Sequence, residues 1–445
     1  MSDLLDTAGP AAGTAPQPHD GHRLAKLGLA AAMVSRLFGR LVGILLVVVL
    51  AREAAPDTVA VYGYLLGTAT LVTILTDLGV ASVAGREVAA GRLPADGALR
   101  AALGPQLTSA LAAGAVTVLL TQVWGPDRVP AAALALTVAF VVVGGLNNLW
   151  AELLRATGRV VLEGGLQVTS TVLLVGAGVL VVHLGGGATD LLVVVAAKEA
   201  VVLAVAASVL RPRRRAGVHG RALLGQGIRV AVAGAAIILL WRQGTLVVGG
   251  LGSIGMLATY VVATRFFDAG VTVAHTAGFG LAPGLAALAG EPAAFRKAAR
   301  HYLGLTALAG VAVAVAGVLL AGPLTTLPFG EQWDVAVPAV RWVAVAALPV
   351  LLCHVSFPVL MARHQVRWMT GSAVVGAVTG TTASILLMLG HPQATSGVIG
   401  TFVGASLMAV LLLTGLRDLF LPQPGAAPTG PTRDRLPSSG AVRPA

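Results

Sequence analysis

Apolar runs of about 20 residues or more, each long enough to cross a bilayer as a helix, follow one another through this chain from residue 25 to residue 419. Twelve such runs can be marked, at 25–50, 58–84, 101–123, 130–152, 161–183, 188–210, 223–248, 253–282, 301–322, 335–361, 368–390 and 396–419. A bilayer offers no water to loose backbone groups, so spans of this kind close their hydrogen bonds internally as helices. The fold class is therefore an all-α polytopic membrane protein, with about twelve transmembrane helices. Only 11% of the residues are charged and 56% are hydrophobic, which excludes a soluble domain. The seventh and eighth runs are parted by little more than Gly249–Gly252. The eighth is too long for one straight span, so its helix is expected to end near Pro283 with tilt beyond.

Where the basic residues fall sets the topology. With both termini on the cytoplasmic side, inner segments collect 21 Lys and Arg, while outer connections hold only Arg52 and Arg128. That asymmetry matches the bias that orients membrane proteins and requires an even number of spans. Trp124 and Trp333 then fall near the outer interface, and Trp150 and Trp368 near the inner one, as an aromatic belt. Residues 1–22, rich in Ala, Pro, Gly and His, lack the basic start and apolar core of a signal peptide and read as a disordered cytoplasmic tail. Residues 421–445 form its counterpart. Between them lie an N-terminal six-helix lobe at 23–210, a basic linker at 211–222 and a C-terminal six-helix lobe at 223–420. The linker's Arg211-Pro212-Arg213-Arg214-Arg215 reads as an orientation signal beside anionic membrane lipids. No aromatic platform or recognition element accompanies it, so nucleic acid is not an expected partner. Two six-span halves fit a transporter with a central cavity between them.

Seven basic residues remain inside the spans: Arg36, Arg40, Lys198, Arg229, Arg242, Arg265 and Arg341. Away from the span ends, only Asp77, Glu199 and Asp268 oppose them. A charge at depth is expensive, so such residues face a partner or a polar path. Arg265 and Asp268 are three apart on one helix and can pair. Arg36 and Asp77 lie at similar depth and can pair across the first two helices. Arg229 and Arg341 are near enough to opposite interfaces to snorkel. Lys198 and Glu199 are adjacent and are expected to point to different sides of their helix. Arg40 and Arg242 are left as unpaired cations. A positive, poorly hydrated cavity favours an anionic headgroup, and the planar guanidinium fork suits phosphate. The residues alone point to a carrier of an anionic or amphiphilic solute.

A resemblance joins these residues. Leu45–Ala90, with Val49-Leu50-Ala51-Arg52, Pro56, Tyr62-Gly63-Tyr64, Thr76-Asp77-Leu78-Gly79-Val80 and Arg86-Glu87, is similar to the start of polysaccharide-type (Wzx-like) flippases. Leu327-Pro328-Phe329-Gly330 through Pro349 to Leu360-Met361-Ala362-Arg363 agrees, as does Pro283. These flippases belong to the multidrug/oligosaccharidyl-lipid/polysaccharide (MOP) exporter superfamily. The resemblance implies export of an oligosaccharide linked to polyprenyl pyrophosphate, from the inner to the outer leaflet of the cytoplasmic membrane, by alternating access. It implies that Arg36, Arg40, Arg242 and Arg265 bind the anionic substrate, while Asp77, Asp268, Lys198 and Glu199 serve charge pairing or coupling. Implied partners are the lipid-linked oligosaccharide, membrane lipids, a polysaccharide polymerase and glycosyltransferases. The family often carries Arg-x-Asp in the seventh span, whereas this chain reads Arg242-Gln243-Gly244.

Other readings stay open at this level. A multidrug antiporter of the same superfamily would favour more aromatic residues than the 4% present, and a lipid II flippase would favour fourteen spans. A membrane glycosyltransferase or polymerase would need catalytic carboxylates on a sizeable outer loop. The longest outer connection, about Gly322–Asp334, offers only Glu331 and Asp334, so no enzyme is expected. His275, His354 and His391 lack metal-ligand spacing, the single Cys353 cannot form an intrachain disulfide, and no cofactor is expected.

Overall fold

The computed structural model describes residues 42–126, 129–211, 220–288, 290–363 and 365–420, with side chains throughout except at 220–230, 269, 272–283, 286 and 287. All its regular elements are helical. The first helix, α1, is described over 42–53. It is followed by α2 (Pro56–Asp77), α3 (Val80–Ala89), α4 (Ala95–Trp124), α5 (Ala131–Ala156), α6 (Val160–His183) and α7 (Ala188–Val209). The second half comprises α8 (Gly220–Leu251), α9 (Ile254–Ala287), α10 (Pro292–Phe329), α11 (Val337–Ala362), α12 (Val366–Gly390) and α13 (Thr395–Gly415). Among the described residues ten helices are long and apolar enough to cross a membrane. With α1 and α9 in the places of the first and eighth runs, the expected architecture is present. This is an integral membrane protein.

Prolines set several helix starts. Pro56 and Pro292 open α2 and α10, and Pro94 and Pro130 stand immediately before α4 and α5. A proline costs nothing at these places, where the backbone N–H would have no helical partner. Inside membrane helices it is also tolerated, because neighbouring groups satisfy what it frees. Accordingly α4 continues through Pro105, α10 through Pro323 and Pro328, and α11 through Pro349 and Pro358. The same tolerance corrects two expectations. The helix of the eighth span does not end near Pro283 but runs on to Ala287. The supposed outer loop at Gly322–Asp334 is mostly the last turns of α10, followed by a 3-10 turn at Glu331–Ala336.

The second expected span, 58–84, is also broken. Helix α2 stops at Asp77; Leu78 takes φ 43° and Gly79 φ 77°, and α3 begins at Val80. Two consecutive left-handed residues cannot continue a right-handed helix, and hydropathy alone does not register them. The break is stitched by polar groups. The Asp77 carboxylate accepts the Ala81 amide at 2.6 Å, and Ser109 of α4 donates to Thr76 O at 2.5 Å. Gln106 of α4 donates to Gly145 O of α5 at 2.8 Å beside them.

Helices α4, α5 and α7 pack in series with α2, and α6 lies on α7. In the second half α10, α11, α13 and α12 form a chain of contacts, with α8 against α12 and α13 and α9 against α11. The halves meet where α2 packs on α8 and α9, and where α4 touches α8. Gly67 of α2 faces Thr245 of α8, and Gly63 faces Val261 of α9, so closely that a Cβ at either glycine would overlap the opposite side chain. Small residues that let backbones approach are what drives helix association where lipid supplies no hydrophobic contrast. Large apolar side chains such as Leu111, Leu119, Leu308, Leu319, Leu386 and Leu389 stay exposed on outer faces, as a lipid solvent requires.

The tryptophans depart from a simple belt. Trp333 is only 4% exposed and donates from Nε1 to Ala51 O at 2.9 Å; Trp150, also buried, donates to Leu210 O at 3.0 Å. Both satisfy carbonyls at the end of another helix. Of these two and Trp368, only Trp368 has an exposed side chain, and it too donates inward, to Leu411 O at 2.7 Å.

Candidate functional site

Three charged side chains meet between α8 and α9. Arg242 Nη2 lies 2.8 Å from Asp268 Oδ1, and Arg265 Nη1 lies 3.5 Å from Asp268 Oδ2. Their side chains are 16 to 18% exposed. At 1.5 Å per residue, Arg242 sits about 14 Å inward from the Leu251 end of α8 and Arg265 about 16 Å from the Ile254 end of α9. Both depths are near the middle of a hydrocarbon core about 30 Å thick. The expectation that Arg242 is unpaired is thus corrected: its partner comes from the next helix, out of view of sequence spacing. The Arg265–Asp268 contact, three residues apart on one helix, is present as expected. Among the described residues, Arg242 and Arg265 share the Asp268 carboxylate.

The surroundings hold this group in place. Arg265 Nε donates to Val261 O at 3.2 Å, one turn back on its own helix. Tyr260 and Tyr62 are buried, from α9 and α2, and their hydroxyls lie within electrostatic reach of Arg265. Trp241, next to Arg242 in the chain, stacks on His354 of α11 at 5.8 Å and meets Phe267 at 5.7 Å. Gln243 points away from the arginines and donates to Thr401 Oγ1 at 3.1 Å and to Gly397 O at 3.3 Å, tying α8 to α13. At Gly244, where the resembled family often has an acid, a Cβ would run into the Tyr260 hydroxyl. The position that could hold an acid in sequence is filled by a tyrosine from α9, and Asp268 supplies the negative charge instead.

The remaining expected residues fall elsewhere. Lys198 Nζ pairs with Glu199 Oε1, so the two side chains do not diverge. The lysine stem is long enough to bend back to its neighbour. Asn147 of α5 donates to Glu199 Oε2 at 2.5 Å and to Glu199 O at 3.0 Å, and the ring of Phe140 lies 5.8 Å from the ammonium. This is a neutral cluster on α5 and α7. Asp77 is spent on the first turn of α3. Arg36 and Arg40 lie outside the described residues, as does the side chain of Arg229, so the expected Arg36–Asp77 pair falls there too. Arg341 is exposed in the first turns of α11. Sequence reading overlooked Asn147 and Tyr260 as site neighbours, since neither amide nor phenol stands out in an apolar run.

No group of three or more His, Cys, Asp or Glu side chains placed to hold a metal ion occurs among the described residues. Cys353 is buried against Ala405 O, and His354 Nδ1 lies 2.8 Å from Val350 O within its own helix.

Comparison with known proteins gives the family. A model described as "Polysaccharide biosynthesis protein" matches residues 49–338, well over half of the chain. No curated protein matches the chain in sequence. Among solved structures, the lipid II flippase MurJ in an inward closed conformation superposes with a TM-score of 0.71 at 10% identity, covering 87% of this chain and 87% of that one. An inward-facing multidrug resistance MATE family transporter of the MOP superfamily gives 0.62 at 16% identity, covering 87% of this chain and 98% of that one. A MOP superfamily transporter from Pyrococcus furiosus, described as having a binding pocket of reverse polarity, gives 0.61 at 16% identity over 88% and 95%. At these identities the likeness is one of fold. The chain belongs to the polysaccharide biosynthesis protein family and has the fold of the MOP exporters.

Proposed function

We propose that this protein is a flippase that moves an oligosaccharide linked to polyprenyl pyrophosphate from the inner to the outer leaflet of the cytoplasmic membrane. The observation that carries the reading is the Arg242–Asp268–Arg265 group at mid-depth, with two guanidinium forks and one carboxylate. A pyrophosphate that displaced Asp268 would take over two charge-assisted donors already desolvated and oriented. Arg36 and Arg40 belong with this set on their charge and position in sequence. The polysaccharide family match and the flippase-like fold support the same substrate class.

In this reading residues 23–210 and 223–420 are two lobes that rock about the site, joined by the basic linker at 211–222, with both termini cytoplasmic. The 21-to-2 distribution of basic residues supports that orientation. A polymerase and glycosyltransferases would work on the product and the precursor, and the chain itself performs no bond chemistry. Export of cationic drugs is the competing reading, favoured by the MATE-like fold, but the guanidinium groups of Arg242 and Arg265 at the site disfavour such solutes.

The test is to delete the gene and assay lipid-linked saccharides on each membrane face. Saccharides trapped on the cytoplasmic leaflet, restored to the outer one by the intact gene but not by Arg242→Ala or Arg265→Ala, are the expected result. Unchanged saccharides with raised sensitivity to cationic drugs would replace this reading with the multidrug one.

A further inference from the structure

The turn after α1 and the turn after α10 belong to opposite halves of the chain, yet they grip one another at one end of the bundle. Arg52, in the last turn of α1, donates from Nε to Pro328 O at 2.5 Å and from Nη2 to Leu327 O. These are among the last carbonyls of α10, which ends at Phe329 and so leaves them without an intrahelical partner. In the other direction, Gln332 Nε2 and Trp333 Nε1 each donate to Ala51 O at 2.9 Å, in the closing turn of α1. Each helix C-terminus is thus capped by side chains from the other half. The Arg52 guanidinium sits against the negative end of the α10 dipole, where a cation is favoured. Gly330, at φ 102°, gives the sharp turn that aims Gln332 and Trp333 back at α1, a backbone conformation other residues rarely adopt.

We propose that this reciprocal capping is a releasable latch that holds the two halves closed at their outer ends and opens when the carrier turns outward. Calling this end the outer one rests on the orientation given under Proposed function. The latch has a dry centre and a wet rim. Ala51 and Trp333 are buried, whereas Arg52 and Gln332 are exposed. Rim donors can pass their bonds to water as the halves part, so opening strands few polar groups. That is the property of a gate rather than of a permanent core contact, where lost bonds would stay unpaid by solvent.

The experiment uses full-length protein in lipid nanodiscs with Cys353→Ala, and spin labels at Asp57→Cys and Val335→Cys, one exposed position on each side of the latch. Pulsed dipolar spectroscopy measures the distribution of distances between them. The expected result is a single short population in the parent, and a second, longer population in Trp333→Phe and in Arg52→Ala. Each lost donor should raise the open-to-closed ratio by about fivefold, the equivalent of one hydrogen bond. Trp333→Phe keeps an aromatic ring while removing the N–H with the five-membered half of the indole, and Arg52→Lys keeps the charge but not the fork, so each arm has a conservative variant. An unchanged distribution in Trp333→Phe and Arg52→Lys overturns the latch. The distances are read without substrate, so they stand or fall separately from the saccharide assay. A membrane-impermeant thiol reagent, applied to intact cells bearing Asp57→Cys, tests the side: labelling supports the outer assignment, and protection until lysis overturns it.

Discussion

Asp268 on α9 reaches Arg242 on α8 at 2.8 Å while keeping Arg265, on its own helix, at 3.5 Å. One acid therefore sets the position of two cations. All three side chains keep less than a fifth of their exposure, so removing the acid leaves both arginines facing each other in a poor dielectric. Breaking a largely buried pair by deleting one member typically costs about 3–5 kcal/mol. Asp268→Ala should lower the thermal unfolding midpoint clearly. The triple change Arg242→Met, Arg265→Met with Asp268→Leu, which leaves no charge of the group behind, should recover most of that stability and still fail to move substrate. Recovery of folding without transport, measured in detergent and by the leaflet assay, separates a binding role for the arginines from a merely structural one. Transport by the triple variant at normal rate would refute the site.

At the break between α2 and α3, the prediction distinguishes a cap from a charge. Asp77→Ala removes the acceptor for the Ala81 amide and should cost about 1 kcal/mol, the usual worth of a lost helix cap. Asp77→Asn keeps a carbonyl oxygen there and should cost less. Gly79→Ala must hold φ near 77° with a Cβ present, a penalty of about 1–2 kcal/mol. Thermal unfolding of the three variants should rank them in that way. Loss of transport in Asp77→Asn at unchanged stability would show that the charge itself takes part in the cycle.

On the face opposite the latch, Arg363 at the end of α11 holds Asp418 with bonds of 2.8 and 2.5 Å. Hydrogen bonding from Arg363 keeps the Asp418 carboxyl below its ordinary value of 3.8. A carboxylate lowered in the folded state adds stability that is fully present above 3.8 and is lost as pH falls through the lowered value. The difference in unfolding midpoint between the parent and Asp418→Asn should therefore be constant near neutral pH and vanish on acidification below that range. The pair is partly solvated, so the difference is expected to be small. A gap that persists at low pH would mean that Asp418 stabilises the fold by something other than this ion pair.

Much of the architecture was open to reading from the chain. Helix number, approximate bounds and membrane residence follow from hydropathy and length, because a bilayer permits one kind of irregularity-free solution. The exceptions have a common cause. Leu78 and Gly79 break a run that stays apolar across the break, and Pro323 and Pro349 fail to end helices that prolines end in water. Hydropathy measures where a segment resides, not the backbone path within it.

The site was half legible. Asp268 and Arg265 could be paired from a spacing of three, since a helix brings such residues to one face. Arg242 could not be paired, because its partner is fixed by how α8 packs on α9. Lys198 and Glu199 were expected to diverge by helix geometry, and the lysine stem is long enough to defeat that expectation.

By itself, the amino-acid sequence determined that this protein lives in a membrane, with its strongest charge asymmetry between the two sides and a few arginines too deep to be accidental. Those are properties of transfer between water and lipid, which act on each segment alone. Tertiary structure alone decided which cation meets which acid, where Trp333 spends its N–H, and that Arg52 caps a helix some 275 positions away. Such pairings depend on the three-dimensional approach of separate helices, and at a few ångströms that approach is set by packing of small residues such as Gly63 and Gly67 rather than by distance along the chain.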